Sequence, residues 1–304
     1  MKIVIAGGTG FIGRALVKRL LEDHHKVVVL SRKVDAFRET QSADLKVEAW
    51  DGQTPGAWAS QLEGADAVVN LSGEGIADKL WSAKRKRALR ESRLHSTRAL
   101  VGAIAEAHQK PKVLVSASAV GFYGPVASGD VPDNSSKGRG FLADLCAQWE
   151  EEAKKAEAFG LRVVLLRLGV VLEKEAGALP KFLFPFRFYA GGPLGSGHQF
   201  FPWVHRVDVV GTVLYALQNS SVSGPVNVVS PGVLTMGEFC SVLGKVLNRP
   251  SWAPVPTFVL YLLLGEMASM LVTGQKAVPK RLTEAGYHFR YPDADIALRN
   301  ILQN

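Results

Sequence analysis

KIVIAGGTGFIGRALVKRLL, residues 2–21, decides how the rest of the chain is read. It opens with a short apolar run ending in glycine, which suits a strand buried on both faces. Phe11, Ile12, Ala15, Leu16, Leu20 and Leu21 then recur at helical spacing. Between the two lie Gly7, Gly8, Thr9, Gly10, Phe11, Ile12 and Gly13. They satisfy G-x-G-x-x-G from Gly8 and G-x-x-G-x-x-G from Gly7. Either pattern alone is weak, but a strand before it and a helix after it supply the context that gives it meaning. Glycine lets the backbone turn tightly against a pyrophosphate, whose charge meets the exposed N–H groups of the helix end.

Outward from this loop, apolar runs alternate with helical patterns. KVVVL (26–30), LKVEAW (45–50), ADAVVNL (65–71), KVLVSAS (112–118) and LRVVLLRLGVVL (161–172) read as strands. A helix is expected over about 82–108, and another over 140–160 closed by Gly160. Strand and helix alternating in this way predict an α/β fold, a doubly wound parallel sheet of the Rossmann kind with helices on both faces. Ligands bind such sheets beyond the carboxyl ends of the strands.

After residue 172 the rhythm breaks. FLFPFRFYAGGPLGSGHQFFPW (182–203) is dense in aromatics, glycine and proline. The segment 173–205 is expected on the substrate side, with Phe200, Phe201 and Trp203 suited to a flat or apolar ligand. Asp208 is the expected N-cap of the next helix. The chain divides into a dinucleotide-binding domain, 1–218, and a smaller, mainly helical C-terminal lobe, 219–304. That lobe has helices expected near 235–247, 257–272, 276–285 and 293–302.

The second strand ends Leu30-Ser31-Arg32-Lys33. An acid at this point would take the ribose hydroxyls of NAD and repel a 2′-phosphate. Arg32 can instead grip that phosphate and stack on adenine, while Ser31 donates a hydrogen bond, so the reading is NADP(H).

Composition narrows the classes. The 304 residues are 47 % hydrophobic and carry a net charge of +8, enough apolar content for a large core and a bias toward anionic ligands. The basic run DKLWSAKRKRALRESR (78–93) lacks a helix-turn-helix, zinc-finger or RRM-like signature, which argues against a nucleic-acid partner. VPTFVLYLLLGEMASMLV (255–272) is too short in its apolar core for a membrane span and reads as a buried or partly amphipathic helix. Cys146 and Cys240 match no metal spacing and read as reduced thiols of a cytoplasmic protein. The seven histidines show no ligand pairing, and no G-x-S-x-G elbow or Walker loop occurs.

These residues resemble the extended short-chain dehydrogenase/reductase superfamily of NAD(P)-dependent epimerases and dehydratases. The narrower resemblance is to its epimerase family protein branch, which carries a C-terminal domain of unknown function. It covers essentially the whole chain. Its marks are GGTGFIG, LSRK (30–33), NLSGEGI (70–76), SRLHSTR (92–98), SASAVGFYG (116–124), GGPLGSGHQFFPWVH (191–205) and GQKAVPKRLTEAGYHFRYPD (274–293). The resemblance implies cofactor contacts from the loop Gly7–Gly13, Ser31 and Arg32, Leu71 and Ser72, Arg93, and Val171.

The superfamily's working parts are a serine, then a tyrosine and a lysine four residues apart on the next helix, where the lysine lowers the tyrosine pKa. Ser118 matches the serine, and Tyr123 follows it in GFYG. The Tyr-x-x-x-Lys positions fall instead on Leu142 and Cys146. Leucine carries no proton, and a thiol cannot stand in for an ammonium. The expectation is an oxidoreductase or epimerase acting on a small molecule through a substitute acid or base, with Tyr123, Cys146, His198 and His205 as candidates beside Ser118. The alternative is a non-catalytic NADP(H)-binding sensor or regulatory protein.

Overall fold

The computed structural model describes residues 1–37, 40 and 42–303. From the amino terminus, β1 (Lys2–Ala6) leads through the glycine loop into α1 (Phe11–Glu22), followed by β2 (Lys26–Ser31), β3 (Leu45–Ala49) and β4 (Ala67–Asn70). Next come α2 (Ala83–Glu106), β5 (Val113–Ala119), the two-residue β6 (Asp130–Val131) and α3 (Phe141–Lys154). β7 (Arg162–Leu168), β8 (Val170–Leu172), α4 (Leu179–Arg187), β9 (Phe200–Phe201), β10 (Trp203–His205) and α5 (Arg206–Gln218) complete the middle of the chain. The last part holds β11 (Gly224–Val228), β12 (Leu234–Thr235), α6 (Met236–Leu247), α7 (Thr257–Leu264), α8 (Ser269–Val272), β13 (Lys276–Ala277), α9 (Lys280–Glu284) and α10 (Ala294–Gln303).

Seven strands form one parallel sheet in the order β11-β7-β5-β4-β1-β2-β3. The order reverses between β1 and β4, so the crevice at their carboxyl ends is the topological switch point where this architecture takes ligands. Alternation along each strand sends side chains to two cores. Ile3 and Ile5 face Leu16, Val17 and Leu20 of α1 and Val209 and Val213 of α5. Val4 and Ala6 face Leu100 and Ile104 of α2. Burial on both faces is why these strands read as unbroken apolar runs.

A third core joins the aromatic segment to the C-terminal lobe. Phe182 and Phe186 of α4, Phe201 of β9 and Trp203 of β10 pack with Phe239 and Leu243 of α6 and Leu298 of α10. Rings of Phe182, Phe201 and Phe239 meet at 4.5–5.6 Å between centroids, and burying each such side chain contributes about 1.5–3 kcal/mol.

Four expectations change. The main sheet runs on past residue 218, since β11 is its edge strand beside β7. Asp208 does not cap α5. The His205 ring does, through Nδ1 accepting the Val207 N–H at 3.0 Å, while buried Asp208 accepts the backbone N–H groups of Arg290 and Tyr291. The stretch 257–272 is no single buried helix: α7 stops at Leu264, before Gly265 with a φ of +57°, a 3₁₀ turn follows, and then α8. On α7 only Leu260 is buried, and Leu262 is 82 % exposed. Finally, 276–285 splits into β13, which pairs with β6, and the short α9. Among the described residues, no helix is long and apolar enough to cross a membrane.

Candidate functional site: a dinucleotide crevice

The switch point is built from backbone. Gly7 has a φ of +79°, and a Cβ there would lie 2.5 Å from the Leu71 carbonyl carbon, so the loop after β1 rests directly on the chain leaving β4. Gly13 is tighter: its Cβ would stand 2.3 Å from Gly7 O and 2.6 Å from Gly8 Cα. Gly10 is the N-cap of α1 and brings no side chain to the orphan N–H groups of the first turn. A helix end left open in this way, beside a glycine turn, is a ready anion site.

Around it stand the other expected contacts. Ser31 ends β2, buried, with its Oγ accepting the Lys33 N–H at 3.0 Å. Arg32 beside it is exposed, and among the described residues nothing pairs with its guanidinium. Leu71 and Ser72 leave β4. The Ser72 hydroxyl sits in a polar cluster with Asn70 and Ser96, and Asn70 in turn donates to Thr97. Val171 lies in β8, opposite Val204 of β10. Phe11 approaches the Gly177 turn that follows.

Within the basic run, Arg93 and Arg85 turn inward; Arg93 is the one expected at the cofactor. Its guanidinium stands 5.1 Å from the Trp149 ring centroid and donates to the carbonyls of Leu89 and Glu74, both at 3.0 Å. Arg85 pairs with Glu74 and Lys86 with Glu266, whereas Lys84, Arg87 and Arg90 are exposed, as a solvated helix face requires.

The catalytic candidates are placed differently from expectation. Ser118 is 2 % exposed and donates its hydroxyl proton to Glu150 at 2.7 Å. Glu150 also takes a fork from Arg167, at 2.8 Å through both Nε and Nη2. Arg167 Nη1 donates to the Tyr123 hydroxyl at 2.9 Å and to the Asp133 carbonyl. Tyr123, itself 2 % exposed, donates its hydroxyl hydrogen bond to Asn227 Oδ1 at 2.6 Å. Burial pushes the phenol up from its ordinary value, with the Arg167 charge pulling the other way. Both hydroxyls are thus consumed in a buried network that joins β5, α3, β7 and β11.

The remaining candidates lie on other elements. The Cys146 thiol is pushed up to about 11, by burial first and then by the Glu150 charge. Leu142 packs toward Gly121. His198 is exposed, with its backbone N–H on the Ser196 hydroxyl. Burial brings His205 down to about 4, and its ring stacks on Tyr291 at 4.0 Å. The aromatics of 182–203 do not form one ligand wall. Phe182, Phe186, Phe201 and Trp203 are core, and Phe184, Phe188 and Tyr189 face outward. Among the described residues, no group of three potential ligands could hold a metal.

His205 carries a pH prediction. It is neutral when folded and has a pKa near 6.5 when unfolded, so its contribution is full above about pH 6.5 and is lost as pH falls toward 4. That loss is at most about 3 kcal/mol. Urea titrations between pH 7 and pH 4 should show it, and His205→Asn should flatten the slope; an unchanged slope would contradict the assignment.

Comparison with known proteins now bears on this crevice. Residues 3–229 match the NAD dependent epimerase/dehydratase family, and residues 255–301 match a domain of unknown function, DUF1731. The chain belongs to the NAD dependent epimerase/dehydratase family. It is 42 % identical over 308 residues to the Arabidopsis thaliana "Epimerase family protein SDR39U1 homolog, chloroplastic", covering 100 % of this chain and 87 % of that one. It is 37 % identical over 305 residues to Bacillus subtilis epimerase family protein YfhF, with 99 % and 98 % covered. The crystal structure of human epimerase family protein SDR39U1 (isoform2) with NADPH superposes with a TM-score of 0.89 at 35 % identity, covering 100 % of both chains. Membership accounts for the switch-point crevice and the glycine loop. The network around Ser118 could have been suspected from one sequence signal, Arg167 set between apolar residues in the middle of a strand run.

Proposed function

We propose that this protein binds NADP(H) at the β1/β4 crevice and exchanges hydride with a small molecule without a side-chain Tyr/Lys proton relay. The observation that carries the proposal is the pairing of an uncapped α1 terminus in the glycine loop with Arg32 at the end of β2, exposed and without a partner among the described residues. NADPH, when bound, supplies the hydride. The chain's own residues grip and orient: the loop Gly7–Gly13 receives the pyrophosphate, Ser31 and Arg32 the adenosine side, and Leu71, Ser72, Arg93 and Val171 the nicotinamide side. The human relative's NADPH complex supports the choice of cofactor. Titration calorimetry tests it: NADPH should bind more tightly than NADH, and Arg32→Ala should weaken NADPH by about 10- to 100-fold while sparing NADH. Equal losses for both cofactors would refute the role of Arg32.

The burial of Ser118 and Tyr123 favours a second reading, an NADP(H) sensor that does not turn over. General acid help is typically worth 10²- to 10⁴-fold, so its absence slows an enzyme without forbidding one. NADPH oxidation against carbonyl, enone and sugar-nucleotide substrates decides between the two. Consumption with any of them supports the enzyme; silence alongside intact binding supports the sensor.

Either reading gives Ser118 and Tyr123 a structural role. Ser118→Ala and Tyr123→Phe should each cost about 1–3 kcal/mol of stability, because each leaves a buried partner unsatisfied. NADPH affinity should stay within about threefold, on the order of 0.6 kcal/mol. A collapse of affinity in either variant at unchanged stability would return these hydroxyls to the cofactor site.

A further inference from the structure

Arg14 directly follows the glycine loop and stands exposed on the first turn of α1. Its Nε donates to the Thr9 carbonyl at 3.2 Å and its Nη1 to the Ala36 carbonyl at 3.1 Å. The guanidinium lies 5.1 Å from the Phe37 ring centroid. Thr9 belongs to the loop after β1, and Ala36 to the 3₁₀ turn after β2. These strands are neighbours in the sheet, with Ala6 opposite Leu30. Arg14 therefore spans the carboxyl ends of β1 and β2, the ground on which the adenosine half of a dinucleotide rests in this architecture.

Two neutral carbonyls hold this cation, and among the described residues no carboxylate pairs with it. A guanidinium has five N–H donors. Two are engaged, so the group is fixed in place while the others stay available to an incoming anion. Fixed orientation matters because a cation that need not be ordered at the moment of binding loses less of its interaction energy. Arg32 sits on the other flank of the same turn, exposed and unpaired among the described residues.

We infer that Arg14 is a second determinant of cofactor choice, gripping the adenosine 2′-phosphate together with Arg32. The inference rests on the NADP(H) reading and adds to it a residue that strand-end reasoning does not reach. Both cations face one dianionic group, Arg32 from the strand end and Arg14 from the helix side. The bridge from Thr9 to Ala36 keeps the two flanks at a fixed span, and Phe37 closes the floor beneath Arg14.

The test uses the full-length protein and two probes that differ only in the relevant phosphate, adenosine 2′,5′-bisphosphate and adenosine 5′-monophosphate. Calorimetric titrations are run on the wild type, Arg14→Ala, Arg14→Lys, Arg32→Ala and the double alanine variant, with the melting temperature of each recorded without ligand. Arg14→Ala should weaken the bisphosphate by about 10-fold or more and the monophosphate by less than about twofold. Arg14→Lys should recover part of the loss, since charge remains without the fork. The double variant should bind both probes alike. Equal weakening of both probes by Arg14→Ala would make Arg14 a brace of the glycine loop and overturn the inference, as would no change in either. A wild type that does not distinguish the probes would instead overturn the NADP(H) reading itself.

Discussion

Gly13→Ala should abolish measurable NADPH binding, a loss of at least about a hundredfold, and lower the melting temperature. The added methyl would lie 2.3 Å from Gly7 O, 2.6 Å from Gly8 Cα and 2.8 Å from Gly8 C. All three are backbone atoms of the loop that receives the pyrophosphate, so relief requires moving that loop off the helix end. Gly7 in turn rests on Leu71, where a Cβ at position 7 would meet backbone at 2.5 Å, and the shift therefore spreads to the chain leaving β4. Overpacking of this kind typically costs 1–3 kcal/mol, and rigid backbone neighbours put it at about the upper end. Gly102→Ala is the internal control. It lies in α2 with nothing within 4 Å of the added methyl, and should stabilise by up to about 1 kcal/mol. Calorimetry and thermal melts on the two variants check both parts. Intact NADPH binding in Gly13→Ala would remove the glycine loop from the cofactor site.

The contrast between these two glycines shows what the sequence made legible. A glycine in a strand–loop–helix context announces a close approach, because the period-2 and helical patterns on either side locate it. The parallel sheet was legible for the same reason: Ile3 to Ala6, Val27 to Leu30 and Val113 to Val115 are apolar on both faces. Long-range partners were not legible. Asp208 has the residue type of an N-cap, but the backbone N–H groups of Arg290 and Tyr291 claim its carboxylate, and His205 takes the cap. The α7 run VLYLLL advertises burial by composition, but hydropathy does not say which neighbour covers it, and most of that helix faces outward. The aromatic segment read as a ligand wall because the partner of Phe182 and Phe201 is Phe239, on a helix of the lobe that no local pattern connects to it. For the same reason the hydrogen-bond partners of the serine and tyrosine of SASAVGFYG were hidden, since Glu150 and Asn227 lie on other elements.

Those partners support the second large effect. Glu150→Ala should lower the melting temperature by roughly 5–10 °C, corresponding to about 3–5 kcal/mol. The substitution strands the Arg167 guanidinium, whose side chain is 4 % exposed, with the Tyr123 hydroxyl and the Asp133 carbonyl as its remaining hydrogen-bond partners among the described residues. It also removes the acceptor of the Ser118 hydroxyl. The Phe122 ring, 3.5 Å from the guanidinium carbon, offers the charge a π face but no hydrogen-bond acceptor of comparable strength. Arg167→Met alone should be as damaging, because it leaves a buried carboxylate held by one serine. The double variant Glu150→Leu/Arg167→Met should recover most of the loss, since desolvation of the two charges offsets much of their mutual attraction. That recovery separates a pair whose members need each other from one that contributes large net stability, in which case the double variant would remain as weak as either single one. NADPH titration on the same proteins adds the functional arm. The network stands behind the crevice and holds Ser118 and Tyr123 in place, so a double variant that regains its melting temperature should also regain cofactor affinity. A refolded double variant that still failed to bind would mean that the charges themselves, and not the packing they enforce, serve the cofactor.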